Sequence, residues 1–194
     1  MLGKSKIGPG KGAMTPAAGG APALLANRFT GRRGPRVELA GKDGATKIVG
    51  SAFDLQFKDM ASDGGLLIGF EFGLENNNAI KAIRPLYRND KNQEVKGQQV
   101  GSNLANVVSV KAKEGYAVAG LTVNAGLWID GLSVTFMRVV DGKLDPNDSY
   151  QSEYYGGTGG NRTILDGDGS TAIGIVGRAH SSGDTTGIGL VFKK

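Results

Sequence analysis

An internal repeat constrains this chain more than any other feature. Three segments, Ile80-Lys-Ala-Ile-Arg-Pro-Leu-Tyr87, Ile129-Asp-Gly-Leu-Ser-Val-Thr-Phe136 and Thr185-Thr-Gly-Ile-Gly-Leu-Val-Phe192, align without a gap, 49 and 56 residues apart. Each alternates apolar with small or polar positions and ends in an aromatic residue, as a strand with one buried face does. A second alternating run precedes each one, at 67–72, 118–123 and 172–176, across a polar stretch rich in glycine or asparagine (73–78, 124–126 and 177–183). That is a β-hairpin written three times. Further strands are expected upstream of each hairpin: 52–58 for the first, 94–100 and 107–112 for the second, Tyr154 and 163–165 for the third. Helical periodicity is absent over any useful length. Repeats of about 50 residues with roughly four short strands each predict an all-β body of three sheets around one core.

The N-terminal quarter reads differently. Residues 1–50 carry nine Lys or Arg against Glu38 and Asp43, a charge of +7, whereas the remaining 144 residues carry −2. The same quarter holds four of the six prolines, eleven glycines and a single aromatic, Phe29. Such a segment buries too little apolar surface to offset its chain entropy, so an irregular basic arm is expected over 1–50 and the folded domain over 51–194. Composition also closes several functions. With no cysteine and one histidine, His180, thiolate or multi-histidine metal sites and cysteine nucleophiles are excluded. No apolar run reaches the ~20 residues of a membrane helix, and the first thirty residues lack the apolar core of a secretory signal, which favours an intracellular location.

The stretch Tyr155-Gly-Gly-Thr-Gly-Gly160, followed by Ala172-Ile-Gly-Ile-Val-Gly-Arg178 and Thr186-Gly-Ile-Gly189, resembles the jacalin-related lectins. The likeness spans roughly 52–192 and leaves the arm without a counterpart. It implies a β-prism of three Greek-key, four-stranded units with pseudo-threefold symmetry, and a carbohydrate-binding module. In that family a G-x-x-x-D loop and a glycine-rich loop hold the sugar. Here only the second unit keeps the pattern, as Gly126-Leu-Trp-Ile-Asp130 with the loop 156–160; Lys81 and Thr186 stand where the other units would carry aspartate. The resemblance therefore places a sugar at Gly126, Trp128, Asp130, Gly156, Gly157, Gly159 and Gly160, displaced around the prism as in a circular permutation.

The residue types suit that chemistry. An ionised aspartate accepts two neighbouring hydroxyls, side-chain-free loops let backbone N–H groups approach a ring, and an indole offers a flat face to sugar C–H groups. Each feature also has a structural alternative: Asp130 capping its own turn, Trp128 packing, and the glycine loop serving only as a turn. Other clusters read as solvated turns, namely Asp141, Asp145, Asn147 and Asp148, and the Asp166–Asp168–Ser170 run, neither completing a calcium loop. Gly8-Pro-Gly-Lys-Gly12 follows no strand and lacks the Ser or Thr of a phosphate loop. Glu71 and Glu75 lack an evident acid–base partner, and His180 sits in a polar hairpin loop. No enzyme activity and no cofactor are expected. Two functions remain. One is a lectin-like module whose partner is a glycan. The other is a structural or assembly subunit, its prism a scaffold and its arm docking on neighbouring copies, an anionic surface or, non-specifically, nucleic acid.

Overall fold

A computed structural model of the chain describes residues 35–62, 64–76, 79–102 and 106–194, so most of the expected arm lies outside the described residues. Among the described residues the strands are β1 (Arg36–Leu39), β2 (Val49–Gly50), β3 (Leu55–Met60), β4 (Leu66–Glu75), β5 (Ala79–Arg88), β6 (Glu94–Lys96), β7 (Val107–Lys111), β8 (Tyr116–Ala125), β9 (Ile129–Val140), β10 (Lys143–Gln151), β11 (Tyr155–Gly156), β12 (Asn161–Asp166), β13 (Ala172–Ala179) and β14 (Thr185–Phe192). No helix occurs among the described residues.

The three expected hairpins are β4–β5, β8–β9 and β13–β14. Each carries a register shift within the first few residues of its first strand, at Leu67/Gly69, Val118/Gly120 and Ala172/Gly174, so the repeat extends to the irregularities of the backbone. The outer strands complete three sheets in the orders β7-β4-β5-β6, β12-β8-β9 with β10 and β11 beyond, and β3-β13-β14-β2. The first two are Greek keys, the fourth strand returning to lie beside the first. The third has the same spatial order but takes its outer strands from the beginning of the body and its hairpin from the end. Among the described residues the first and second sheets pair at one point, Ile80 with Ile129.

This order corrects the expected placement of the outer strands. Strands β6 and β7 serve the first hairpin, β11 and β12 the second, and β3 the third. Each outer strand thus belongs to the hairpin before it, with β3 closing the circle. The folded body also begins earlier than residue 50. Strand β1 pairs in parallel with β12, Ala45 bridges Val191, and Thr46 accepts a hydrogen bond from Leu190 N on its hydroxyl while its own N–H donates to Leu190 O. Residues 36–50 lack apolar alternation because they lie along sheet edges, where main-chain pairing rather than side-chain burial holds them.

The core is shared by all three hairpins: Leu67, Phe70, Phe72, Ile80 and Ile83 from the first, Leu121, Ile129, Leu132 and Phe136 from the second, Ile175, Ile188 and Leu190 from the third. Phe70 and Phe72 stack with centroids 5.4 Å apart. Strand β14 is buried at every position, not at alternate ones, since its Thr and Gly residues on the second face are covered by 45–50. Three glycines mark the pseudo-threefold. Gly50, Gly101 and Gly156 have φ of 122°, 103° and 90° and press against the backbone of Thr186-Gly187, Lys81-Ala82 and Asp130-Gly131 in turn. A Cβ in these places would be strained by the dihedral and driven into the facing carbonyl oxygen.

Candidate functional site

The glycine contacts define three equivalent corners, each built from the start of a second hairpin strand and a loop crossing it. In the second unit that strand begins at Ile129-Asp130 and the crossing loop is 156–160. Gly157 N donates to Asp130 O at 2.8 Å, and a Cβ on Gly159 would stand 2.7 Å from Asp130 Oδ1. Gly160, with φ of 68°, lies against the backbone of Ala125 and Gly126. Asn124 Nδ2 donates to Thr158 O at 3.3 Å, and the Tyr154 hydroxyl donates to Gly157 O at 2.8 Å, pinning the loop from its other side. The backbone N–H groups of Thr158, Gly159 and Gly160 are left out of main-chain hydrogen bonds among the described residues. The half-buried Asp130 carboxylate likewise enters no hydrogen bond or ion pair there, whereas its counterpart Lys81 pairs with Asp184 at 3.2 Å and Glu75 at 3.5 Å. An acceptor carboxylate thus faces a loop of unused donors, an arrangement suited to a polyhydroxylated ligand.

Six of the seven residues named from sequence meet in this way: Gly126, Asp130, Gly156, Gly157, Gly159 and Gly160. Trp128 is engaged elsewhere. Lys81 Nζ stands 4.2 Å from its ring centroid, and the His180 ring meets it edge-on at 5.8 Å, so the indole joins the loop of the second hairpin to strand β5 of the first and to the loop of the third. This is the packing alternative for Trp128. The third corner is closed differently. Thr186 is buried there, its hydroxyl without a hydrogen-bond partner among the described residues, and the Ser51 hydroxyl nearby holds the Asp54 carboxyl below the usual range.

Sequence reading missed Asn124, Tyr154, Thr158 and Arg162. Outward polar residues on strands are ordinary, and only the cross-strand register of β8 with β12 brings Asn124 opposite Arg162. The acidic run at 141–148 assembles no ligand set. Asp148 accepts from the Tyr116 hydroxyl at 2.6 Å and from Arg138 Nε at 2.6 Å, and no group of three acidic or histidine side chains is poised around a metal among the described residues. His180 Nδ1 lies 2.8 Å from Ser182 Oγ within its own loop.

No protein-family model and no curated protein matches the chain in sequence. Solved structures do match in fold. The mannose-binding lectin from Champedak superposes with a TM-score of 0.59 at 13% identity, covering 80% of this chain and 99% of the lectin. Frutapin, a lectin from Artocarpus incisa, gives 0.60 at 13% identity over 80% and 99% of the two chains. A mannose-specific jacalin-related lectin from Morus nigra, solved with mannose, gives 0.57 at 15% identity over 85% and 100%. Together with three Greek-key sheets around one core, these superpositions show that the chain has the β-prism fold of the jacalin-related lectins.

Proposed function

We propose that this protein is a carbohydrate-binding, lectin-like module that takes a glycan at the corner of its second unit. The observation that carries the reading is the uncommitted Asp130 carboxylate facing the glycine loop, where the equivalent Lys81 is consumed by ion pairs and the equivalent Thr186 is buried. Asp130 accepts two adjacent sugar hydroxyls, and the N–H groups of Thr158, Gly159 and Gly160 donate to ring and hydroxyl oxygens. Glycine at 159 keeps the gap open, because any side chain there would fall on the carboxylate. Open sites of this kind bind a single sugar with about −4 to −5 kcal/mol, in the high micromolar to millimolar range.

Several of the structural neighbours bind mannose, which makes mannose the first probe, with glucose and galactose alongside. Calorimetric titration of the wild type and Asp130→Ala tests the reading. Saturable binding lost in the variant supports it; no sugar binding, or equal binding by both proteins, defeats it. A scaffold role is the second reading, favoured by the +7 charge of residues 1–50 beside a weakly acidic body. It expects the full chain to form larger particles than one beginning at Pro35, measured by light scattering.

A further inference from the structure

The outward faces of the three sheets differ at one equivalent cross-strand pair. In the first sheet the pair is Glu71 and Arg84, joined at 2.8 Å, with Lys96 on the same carboxylate at 2.6 Å and Gln99 on the guanidinium at 2.6 Å. In the third it is Val176 and Gly189, covered by Thr46 and Lys47. In the second it is Thr122 and Ser133, two small hydroxyl residues. Both are buried, and an opening reaches only the Ser133 side of the pair. A cavity of about 410 Å³ opens there, lined by Asn124, Ser133, Gln151, Tyr154, Thr158 and Arg162. Its size falls within the ~300–1,000 Å³ of small-ligand clefts.

Several polar groups around the hollow have capacity left over. Among the described residues Asn124 spends one amide N–H on Thr158 O and keeps its carbonyl oxygen, while Gln151 Nε2 reaches only Thr135 Oγ1 at 3.3 Å. Arg84 and Arg138 are locked by carboxylates and Arg178 by Ser51 O, but the Arg162 guanidinium has no carboxylate partner among the described residues. Tyr154 stands between the hollow and the Asp130 corner, its hydroxyl bonded to the loop that both share. A guanidinium presents a planar fork that fits a carboxylate with two parallel hydrogen bonds.

We infer that this hollow binds an acidic sugar residue, its carboxylate on Arg162 and its hydroxyls on Asn124, Ser133 and Gln151. The inference rests on the glycan reading above for the nature of the ligand and extends it to a second, anionic position across the glycine loop. A neutral sugar gains nothing from Arg162, so the two positions discriminate by charge.

The test is NMR titration of the isotope-labelled full chain with glucuronate and, in parallel, with uncharged methyl glucoside. Glucuronate should shift the side-chain amides of Asn124 and Gln151. Arg162→Gln should weaken that response about tenfold, Arg162→Lys less, and raised salt should weaken it in the wild type. Arg162 is exposed and its replacement spares the core. Equal shifts with methyl glucoside, no shifts at all, or shifts indifferent to Arg162→Gln would overturn the inference. Mannose titration read at the Gly157 and Gly159 amides, with Asp130→Ala, reports separately on the neutral corner. Failure there leaves the glucuronate response of Asn124 and Gln151 as an independent result.

Discussion

The corners around Asp130 and Lys81 hold equivalent places in the prism and end in opposite states. Both are crossed by a loop pinned through a glycine of positive φ, Gly156 in one and Gly101 in the other. At the Asp130 corner the carboxylate faces a glycine loop with no partner among the described residues. At the Lys81 corner the ammonium, only 17% exposed, is consumed by Asp184, by Glu75 and by the face of Trp128. The repeated backbone decides where a side chain stands. One residue at that place then decides whether the corner's polar group is left unpaired or is consumed by the protein, so a shared backbone does not make the corners chemically equivalent.

The largest effect should come from breaking what the corners share. Gly156→Ala is expected to cost about 2–4 kcal/mol, the left-handed penalty plus overlap with the Asp130 carbonyl, and to abolish sugar binding. Gly142→Ala, also at positive φ but with open space around it, should cost about 1 kcal/mol; urea denaturation measures both. Comparable losses at the two positions would show that the crossing carries no special constraint. Next, Asp130→Asn keeps the shape of the corner and removes its charge, and should lower sugar affinity about tenfold by calorimetry. Lys81→Met should destabilise by about 1–2 kcal/mol through loss of the ring contact and the ion pairs, shift the tryptophan emission, and leave sugar affinity unchanged. A changed affinity would return Trp128 to the binding surface.

The smallest effect is one of pH. The ammonium of Lys96 and the guanidinium of Arg84 hold the Glu71 carboxyl below its ordinary value of 4.5. A carboxyl depressed in the folded state adds stability above its unfolded pKa and gives it up as pH falls through the folded one. Stability should therefore fall on acidification below about pH 4.5, and Glu71→Gln should flatten that slope in denaturation midpoints taken across pH. At the alkaline end the sign reverses. Burial, then the hydrogen bond to Asp59, push the Tyr87 phenol well above its usual range, so its contribution is complete below pH 10 and declines above it. Tyr87→Phe should remove that alkaline decline.

Much of this architecture was legible along the chain. Period-two alternation ending in Tyr87, Phe136 and Phe192 marks the three hairpins, since burial of one sheet face is a local constraint that each strand records for itself. The glycine loop and Asp130 were likewise readable through the family resemblance. The outer strands were not, because β6 and β7 are short and largely exposed and carry no apolar pattern naming their partner. Strand β1 and the edge from 45 to 50 hide within a basic, glycine-rich stretch whose composition suggests an arm.

Residue order by itself determined that the body is all-β, that it repeats three times, and that one unit alone keeps the aspartate. Tertiary structure decided which hairpin each outer strand joins, that Trp128 is held by Lys81 and His180, and that Asn124, Ser133, Gln151 and Arg162 line one cavity. The physical reason is distance along the chain. Alternation and turn chemistry act between neighbours, whereas the pairing of β3 with β13, or of β8 with β12, exists only once the prism has closed.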